Sequence, residues 1–264
     1  DGRGACCVDR RGPDPVPEHD SNGELLYTLA EYYRYTRDIG TVSDLWPAAV
    51  RAAEWIRTAR QRRMTSEYQQ GPKRVFYGLL PESISHEGYS SRPVHSYWDG
   101  FWGWRGLKDA ASLAAAAGDD AQAAAFAELR DAFGADLIAS IERVIETQRL
   151  EYIPASVELA DFDPNSTAIA LSPVGALRAL PETPLRNTFD RYFAILQERL
   201  RGDKEWDAYT PYELRNVPAF LQLGQRERAW AVLEAILRDQ RPLAWQQWPE
   251  ILWRNPKLPR FVGD

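Results

Sequence analysis

Apolar positions recur at helical spacing along most of the chain. In "GELLYTLAEYYRYTRD" (23–38), Leu25, Leu26, Leu29, Tyr32 and Tyr33 share one side. In "SDLWPAAVRAAEWIRTARQRR" (43–63), Leu45, Ala49, Ala52, Ala53 and Ile56 do the same. Between them "DIGTVS" predicts a turn, with Gly40 stopping one helix and Ser43 starting the next. The unit repeats in "WDGFWGWRGLKDAASLAAAA" and "AQAAAFAELRDAFGADLIASIERVIE", parted at Gly118. It returns in "NSTAIALSPVGALRAL" and "LRNTFDRYFAILQERLR", parted near Pro181, and in "TPYELRNVPAFLQL" and "QRERAWAVLEAILRDQ", parted at Gly224. The pattern predicts an all-α fold of four helical hairpins in one domain spanning 1–264, with 1–17 as an irregular N-terminal segment.

The connections between hairpins are longer than the turns within them. They cover 69–96, 151–166, 201–210 and 241–264. Each joins an outgoing helix to the next incoming one, which predicts that all of them sit at one end, where function usually resides on a helical scaffold. Within them "RVFYGLL" (74–80) and "EYIPASVEL" (151–159) are the candidates for short strands.

Three helix starts place Ser or Thr three residues before an acid: Ser21–Glu24, Ser96–Asp99 and Thr210–Glu213. This is capping-box spacing, so capping is a sufficient reason for each of these acids. Other acids lack that reason. Glu18 and Asp20 precede the first helix; Glu82 and Glu87 lie in 69–96; Glu158, Asp161 and Asp163 lie in 151–166. Glu205, Asp207 and Glu250 follow in the later ones. Aromatics accompany them: Tyr89, Trp98, Trp102, Trp206, Trp245 and Trp248, with His95 and Arg105 close by in sequence. The chain holds 10 Trp and 12 Tyr but 9 Phe, an excess of rings that carry a polar handle.

Composition narrows the partners. A net charge of −6 gives no basic footprint for nucleic acid or an anionic membrane. No apolar run reaches the roughly 20 residues that span a bilayer. Two adjacent cysteines, Cys6 and Cys7, and three histidines, His19, His86 and His95, form no metal-ligand spacing, so neither metal nor cofactor is expected. A phosphate loop, a nucleophile elbow and a dinucleotide fingerprint are absent from the sequence. The compartment is left undetermined.

Carboxylates among Trp and Tyr suit sugar chemistry. Glycoside cleavage uses one carboxyl that protonates the leaving oxygen and a second that activates water or attacks. Burial against indole keeps the first of these protonated. In line with this, "GLLPESISHEGYS" followed by "PVHSYWDGFWGWRGLKDAA" resembles the loop-to-inner-helix passage of bacterial six-hairpin glycosidases, the (α/α)6-barrel clan. "YWDGFW" resembles the Trp-Asp-aromatic stretch of trehalase-like and processing-glucosidase-like members, and "EYIPASVELADFDPNSTAIAL" and "AWQQWPEILW" resemble other such passages.

The resemblance implies a toroid of helical hairpins and an inverting hydrolase with Asp99 as general acid. It implies Glu250, or in second place Glu213, as general base. Glu18, Glu82, Glu87, Tyr89, His95, Trp98, Trp102, Arg105, Glu158, Trp206, Trp245 and Trp248 would bind an oligosaccharide or glycoside. The clan also holds glucoamylase-like, rhamnosidase-like and phosphorylase members, so the sugar does not carry over. Four hairpins stand where a closed barrel has six, so the expectation is an open toroid or further helices in a longer polypeptide. Two other readings stay open: a non-catalytic carbohydrate-binding scaffold, and a sugar phosphorylase or isomerase on a similar toroid.

Overall fold

In a computed structural model, residues 2–5, 8–10, 12–13, 15–85, 88–239 and 248–254 are described. The chain divides into two compact units: Asp1–Leu150 with Pro154–Asp161, and Glu151–Ile153 with Phe162–Asp264.

The first unit is built from two helical hairpins. Helix α1 (Ser21–Thr36) turns into α2 (Ile39–Gln61), and α3 (Tyr97–Ala116) turns into α4 (Asp120–Gln148). The first turn comes earlier than Gly40. Arg37 adopts a left-handed conformation (φ 59°) and returns its N–H to Tyr33 O. Asp38 then caps α2, accepting Thr41 N–H at 3.2 Å, the Thr41 hydroxyl at 2.6 Å and the Tyr32 hydroxyl at 2.8 Å. These hydrogen bonds hold its carboxyl down at about 2. With so strong a cap at 38, Gly40 and Ser43 lie inside α2 rather than at its border.

Helix α1 packs on both α2 and α3, and α3 packs on α4. Leu26, Leu29, Val42, Ala53, Ile56, Leu107, Leu113, Phe126 and Phe133 are buried in the shared core. The α1–α3 approach is close because Gly23 and Gly106 face one another. A Cβ on Gly106 would stand 2.7 Å from Gly23 Cα, and one on Gly23 would overlap the Trp102 carbonyl. At the second turn Gly118 takes φ 79°, and Asp119 caps α4 by accepting Gln122 N–H at 3.0 Å.

The segment before α1 is not wholly irregular. It holds a short antiparallel pair, β1 (Val8–Asp9) with β2 (Gly12–Pro13). The expected strand at 74–80 is not formed: residues Gly71–Phe76 make a 3-10 helix instead. Its turn is closed through Ser140, whose hydroxyl donates to Val75 O at 2.5 Å. At 151–159 only an isolated bridge appears, Ser96 with Ser156, beside a second one, Ser83 with Val94. The first bridge fastens the 151–159 segment to the residue before α3, and the second closes the preceding loop on itself.

The second unit holds α5 (Pro164–Leu171), α6 (Glu182–Arg201), α7 (Asn216–Gln222) and α8 (Arg226–Arg238); α7 packs on α8, and α5 packs more on α7 than on α6. Strand β3 (Ala208–Tyr209) pairs antiparallel with β4 (Leu252–Trp253). Asp163 caps α5 through Asn165 N–H at 2.9 Å and Ser166 N–H at 3.3 Å. Gly202 closes α6 at φ 81°. Phe189, Phe193 and Tyr192 on α6 surround Phe220 of α7, with Val232 and Ile236 of α8 buried in the same unit. Among the described residues no helix is long and apolar enough to cross a membrane.

Candidate functional site

Asp99 occupies the first turn of α3 and is 1 % exposed. Tyr97 N–H donates to Ala155 O at 2.9 Å, and Val157 N–H donates to His95 O at 3.1 Å, so the 151–161 loop runs beside the helix start. The 82–96 loop folds back through the Ser83–Val94 bridge and sets Ser83 and Ser85 against the same turn. The Ser83 hydroxyl donates to Asp99 Oδ2, and the Ser85 hydroxyl reaches Oδ1 at 3.1 Å. Ser85 sits at φ 55°, and its N–H donates to Ser83 Oγ at 2.8 Å.

The expected capping box is therefore not made at α3. The Ser96 hydroxyl shares a hydrogen bond with Ser85 Oγ at 3.0 Å, and α3 has no side-chain cap. The Asp99 carboxyl is committed to loop hydroxyls instead, which satisfy it without leaving the helix start. At α1 the cap position is Asp20 rather than Ser21, again with no side-chain cap bond. Thr210 does cap its 3-10 helix, accepting Tyr212 N–H at 3.3 Å, while Glu213 turns inward to other partners.

Two more acids stand with Asp99. Asp20 is buried and accepts Trp98 Nε1–H at 2.7 Å. Glu18 is buried two residues before it. Burial pushes the Asp99 carboxyl well above the ordinary aspartate range, and the Asp20 and Glu18 charges add to the rise. The two serine hydroxyls pull the other way and are outweighed. A carboxyl held like this keeps its proton to higher pH than a solvated one.

His19, between those two acids, is buried against Trp55 with ring centroids 5.1 Å apart, and its Nδ1 has no hydrogen-bond partner. Burial pulls its pKa down to about 4, against the Glu18 and Glu82 carbonyls and the Asp20 charge, so the ring is neutral at neutral pH. Trp102 meets Trp98 edge-on at 6.1 Å and Tyr27 at 5.5 Å, with its buried Nε1 unpartnered.

A second cluster in this unit gathers His95, Glu158, Glu82 and Arg63. Glu158 accepts both His95 N–H at 2.9 Å and His95 Nδ1–H at 2.7 Å. Arg63 Nε donates to His95 Nε2 at 2.9 Å, and its guanidinium pairs with Glu82. Nε2 thus faces the arginine and Nδ1 faces Glu158, so both neighbours orient the ring. Burial alone would raise the Glu158 pKa, but the His95 hydrogen bonds outweigh it and lower it. Glu82 is likewise lowered: burial opposes, and its backbone hydrogen bond, His95 and Arg63 prevail. Tyr89 donates to Asp161 Oδ2 at 2.9 Å, and Ser156 to Asp161 Oδ1 at 2.6 Å, so this aspartate joins the two loops.

Arg105 lies further along α3, in a row of cross-helix pairs between α1 and α3. Asp20 meets Trp98, Tyr27 meets Trp102, Glu31 meets Arg105 at 3.4 Å, and Arg34 pairs with the fully buried Asp109. Arg105 also holds Asp109 at 2.6 Å and lies over the Tyr27 ring at 4.8 Å. These contacts place Arg105 at the α1–α3 seam.

In the second unit, Glu213 is buried and accepts the Tyr192 hydroxyl at 2.9 Å and Arg199 at 3.1 Å. Burial raises its pKa, while Arg199 and the Tyr192 hydroxyl pull it down. Trp206 is sandwiched between guanidiniums, Arg254 at 4.1 Å and Arg199 at 5.8 Å. Glu250 is exposed and accepts the Tyr212 hydroxyl at 3.3 Å. Trp248 Nε1 donates to Ile236 O at 3.4 Å. Glu87 and Trp245 lie outside the described residues.

The first unit thus brings Glu18, Trp98 and Asp99 together at one point, and Glu82, His95 and Glu158 at another. Sequence reasoning did not join Ser83, Ser85, His19 and Asp20 to Asp99, or Arg63 to His95. The one local signal was "EHDS", acid-His-acid directly before a helix. Among the described residues, no group of three or more His, Cys, Asp or Glu side chains is placed to hold a metal ion. No protein-family model matches the chain, and no curated protein matches it either.

Proposed function

We propose that the chain is a glycoside hydrolase on an (α/α) toroid of helical hairpins, with Asp99 as the proton donor. The observation that carries this reading is the state of Asp99: a buried carboxyl at a helix start, beside Asp20, Glu18, Trp98 and Trp102, with its proton held above the ordinary aspartate range. Such a group keeps its proton to higher pH than a solvated aspartate, and so has one to give to a leaving glycosidic oxygen. The indole faces stack on pyranose C–H surfaces, and neutral His19 offers a hydroxyl partner. The Asp99 proton leaves with the aglycone oxygen as the glycosidic bond breaks. A second carboxylate takes a proton from water, whose oxygen attacks the anomeric carbon from the opposite face.

Glu250, exposed and held by a phenol, is the first candidate for that base; it belongs to the second unit, so its role rests on the loss of activity in Glu250→Gln and on no placement beside Asp99. Glu213 is second, since its ion pair with Arg199 and its bond to Tyr192 already serve the fold. An inverting pair requires carboxyl groups roughly 6.5–9.5 Å apart. Hydrolysis of a panel of aryl and natural glycosides, followed by NMR of the first-formed anomer, tests the reading. Inverted product from the native protein, and a loss of about a thousandfold or more in Asp99→Asn, is the expected result.

The near-complete burial of Asp99 favours one competing reading, a sugar-binding scaffold in which this carboxyl only ties a loop to a helix. No hydrolysis by the native protein, with sugar affinity equal in Asp99→Asn, would establish it. Turnover that requires inorganic phosphate would move the assignment to a phosphorylase.

A further inference from the structure

Asp99 is nearly sealed, and Glu18 and Asp20, from the segment that leads into α1, are buried near enough for their charges to act on it. That segment is tied down at several points. Asn22, buried on α1, uses its amide as a neighbouring strand would: its oxygen accepts Gly4 N–H at 2.6 Å and its nitrogen donates to Gly2 O at 2.7 Å. The same nitrogen donates to Ala52 O of α2 at 3.1 Å, so the side chain is fixed against the hairpin it springs from. The backbone lies too close for side chains. A Cβ on Gly4 would stand 2.7 Å from Ser21 Cβ, and Gly2 holds φ 92° against the Arg51 carbonyl. Beside this contact a cavity of about 330 Å³ is lined by Arg3, Asn22, Leu25, Ala48 and Arg51.

Beyond the β1–β2 pair the chain returns towards α1, and the returning limb is held from both sides. Arg3 donates to Pro15 O at 3.3 Å, and Ile84 N–H donates to Pro17 O at 3.0 Å. The next residues are Glu18, His19 and Asp20, all buried. Ile84 itself lies between Ser83 and Ser85, the two hydroxyls on Asp99. Hydrogen bonds and short stretches of backbone therefore link Asn22, through residues 2–4 and the limb 15–20, to the two serines on the Asp99 carboxyl.

We infer that Asn22 is a positioning residue, the latch of a strap formed by residues 2–5 that holds the limb 15–20 over Asp99. Its two amide contacts set the register of the strap, and the strap, through Arg3, sets the limb. Unlatching frees the limb and uncovers the Asp99 network without disturbing the α3–α4 packing behind it.

Amide hydrogen exchange of the full chain tests this directly. In Asn22→Ala the protected amides of Ser85, Tyr97 and Gly100 are expected to exchange about tenfold faster, while those of residues 107–114 and 133–144 keep their native rates. An infrared carbonyl band assigned to Asp99 by its loss in Asp99→Asn is expected to shift in the same variant. Faster exchange confined to residues 2–5, with the Asp99 surroundings unchanged, would overturn the latch. Should Asn22→Ala fail to fold, Arg3→Ala decides: it touches an exposed side chain, and selective acceleration around Ser85 supports the strap while native rates there refute it. Exchange needs no turnover, so a failed latch and a failed hydrolase assignment are read separately.

Discussion

Two buried groups that both neighbour Glu18 and Asp20, Asp99 and His19, pull stability in opposite directions with pH. Asp99 has a folded-state pKa raised from 3.8, mainly by burial. Its contribution is complete below that unfolded value and is lost as pH rises through the raised one. His19 has a folded-state pKa lowered from 6.5 to about 4, also by burial. Its contribution is complete above the unfolded value and is lost as pH falls from 6.5 to about 4. His19→Gln should therefore remove about 3 kcal/mol of acid sensitivity across that window, seen as a flatter plot of melting temperature against pH on the acid side. Asp99→Asn should instead flatten the decline that sets in as pH rises above 3.8, because asparagine has no charge to bury. Denaturant titrations at a series of pH values separate the two.

At the scale of helices, the contact between Gly23 and Gly106 governs how near α1 comes to α3. Gly23→Ala must push the Trp102 carbonyl away, and an overpacked core position costs about 1–3 kcal/mol. The expected outcome is a lower urea midpoint with an unchanged slope, and weaker near-UV signal from Trp98 and Trp102 as their rings move. The helices themselves were legible in the sequence, since Leu26, Leu29, Ala53 and Ile56 repeat at the spacing the core demands. Their borders were less so. Gly40 is a plausible stop on local grounds, yet Asp38 with three hydrogen bonds is a stronger start two residues earlier. The capping boxes misled for a related reason: spacing shows that a carboxylate can reach its own helix start, but not that Ser83 and Ser85 will reach it first. Those serines are 16 and 14 residues away in sequence, and nothing local announces them. The aromatic crowding around Asp99 was legible; Asn22, an ordinary residue in an ordinary helix, was not.

For the molecule as a whole, charge limits the company it keeps. With 38 acidic against 32 basic residues, the net charge of −6 is expected to disfavour phosphate backbones. Neither duplex DNA nor heparin should retain it on a column at about 0.15 M salt, whereas a neutral glycan matrix should slow it if sugar is the ligand. Retention on heparin that falls steeply with salt would contradict this and direct attention to the arginines around Trp206.

The glycine contact also acts on the pairs that run along α1 and α3. Asp20 with Trp98, Tyr27 with Trp102, Glu31 with Arg105 and Arg34 with Asp109 differ in chemistry from one rung to the next. A slip of one helical turn, about 5.4 Å, would set unlike partners opposite each other and lift Gly106 off Gly23 at the same time. An all-leucine seam would tolerate such a slip; this one has a single height at which every rung is matched. Natural variation at these positions should therefore occur in pairs across the two helices, with the glycines left alone.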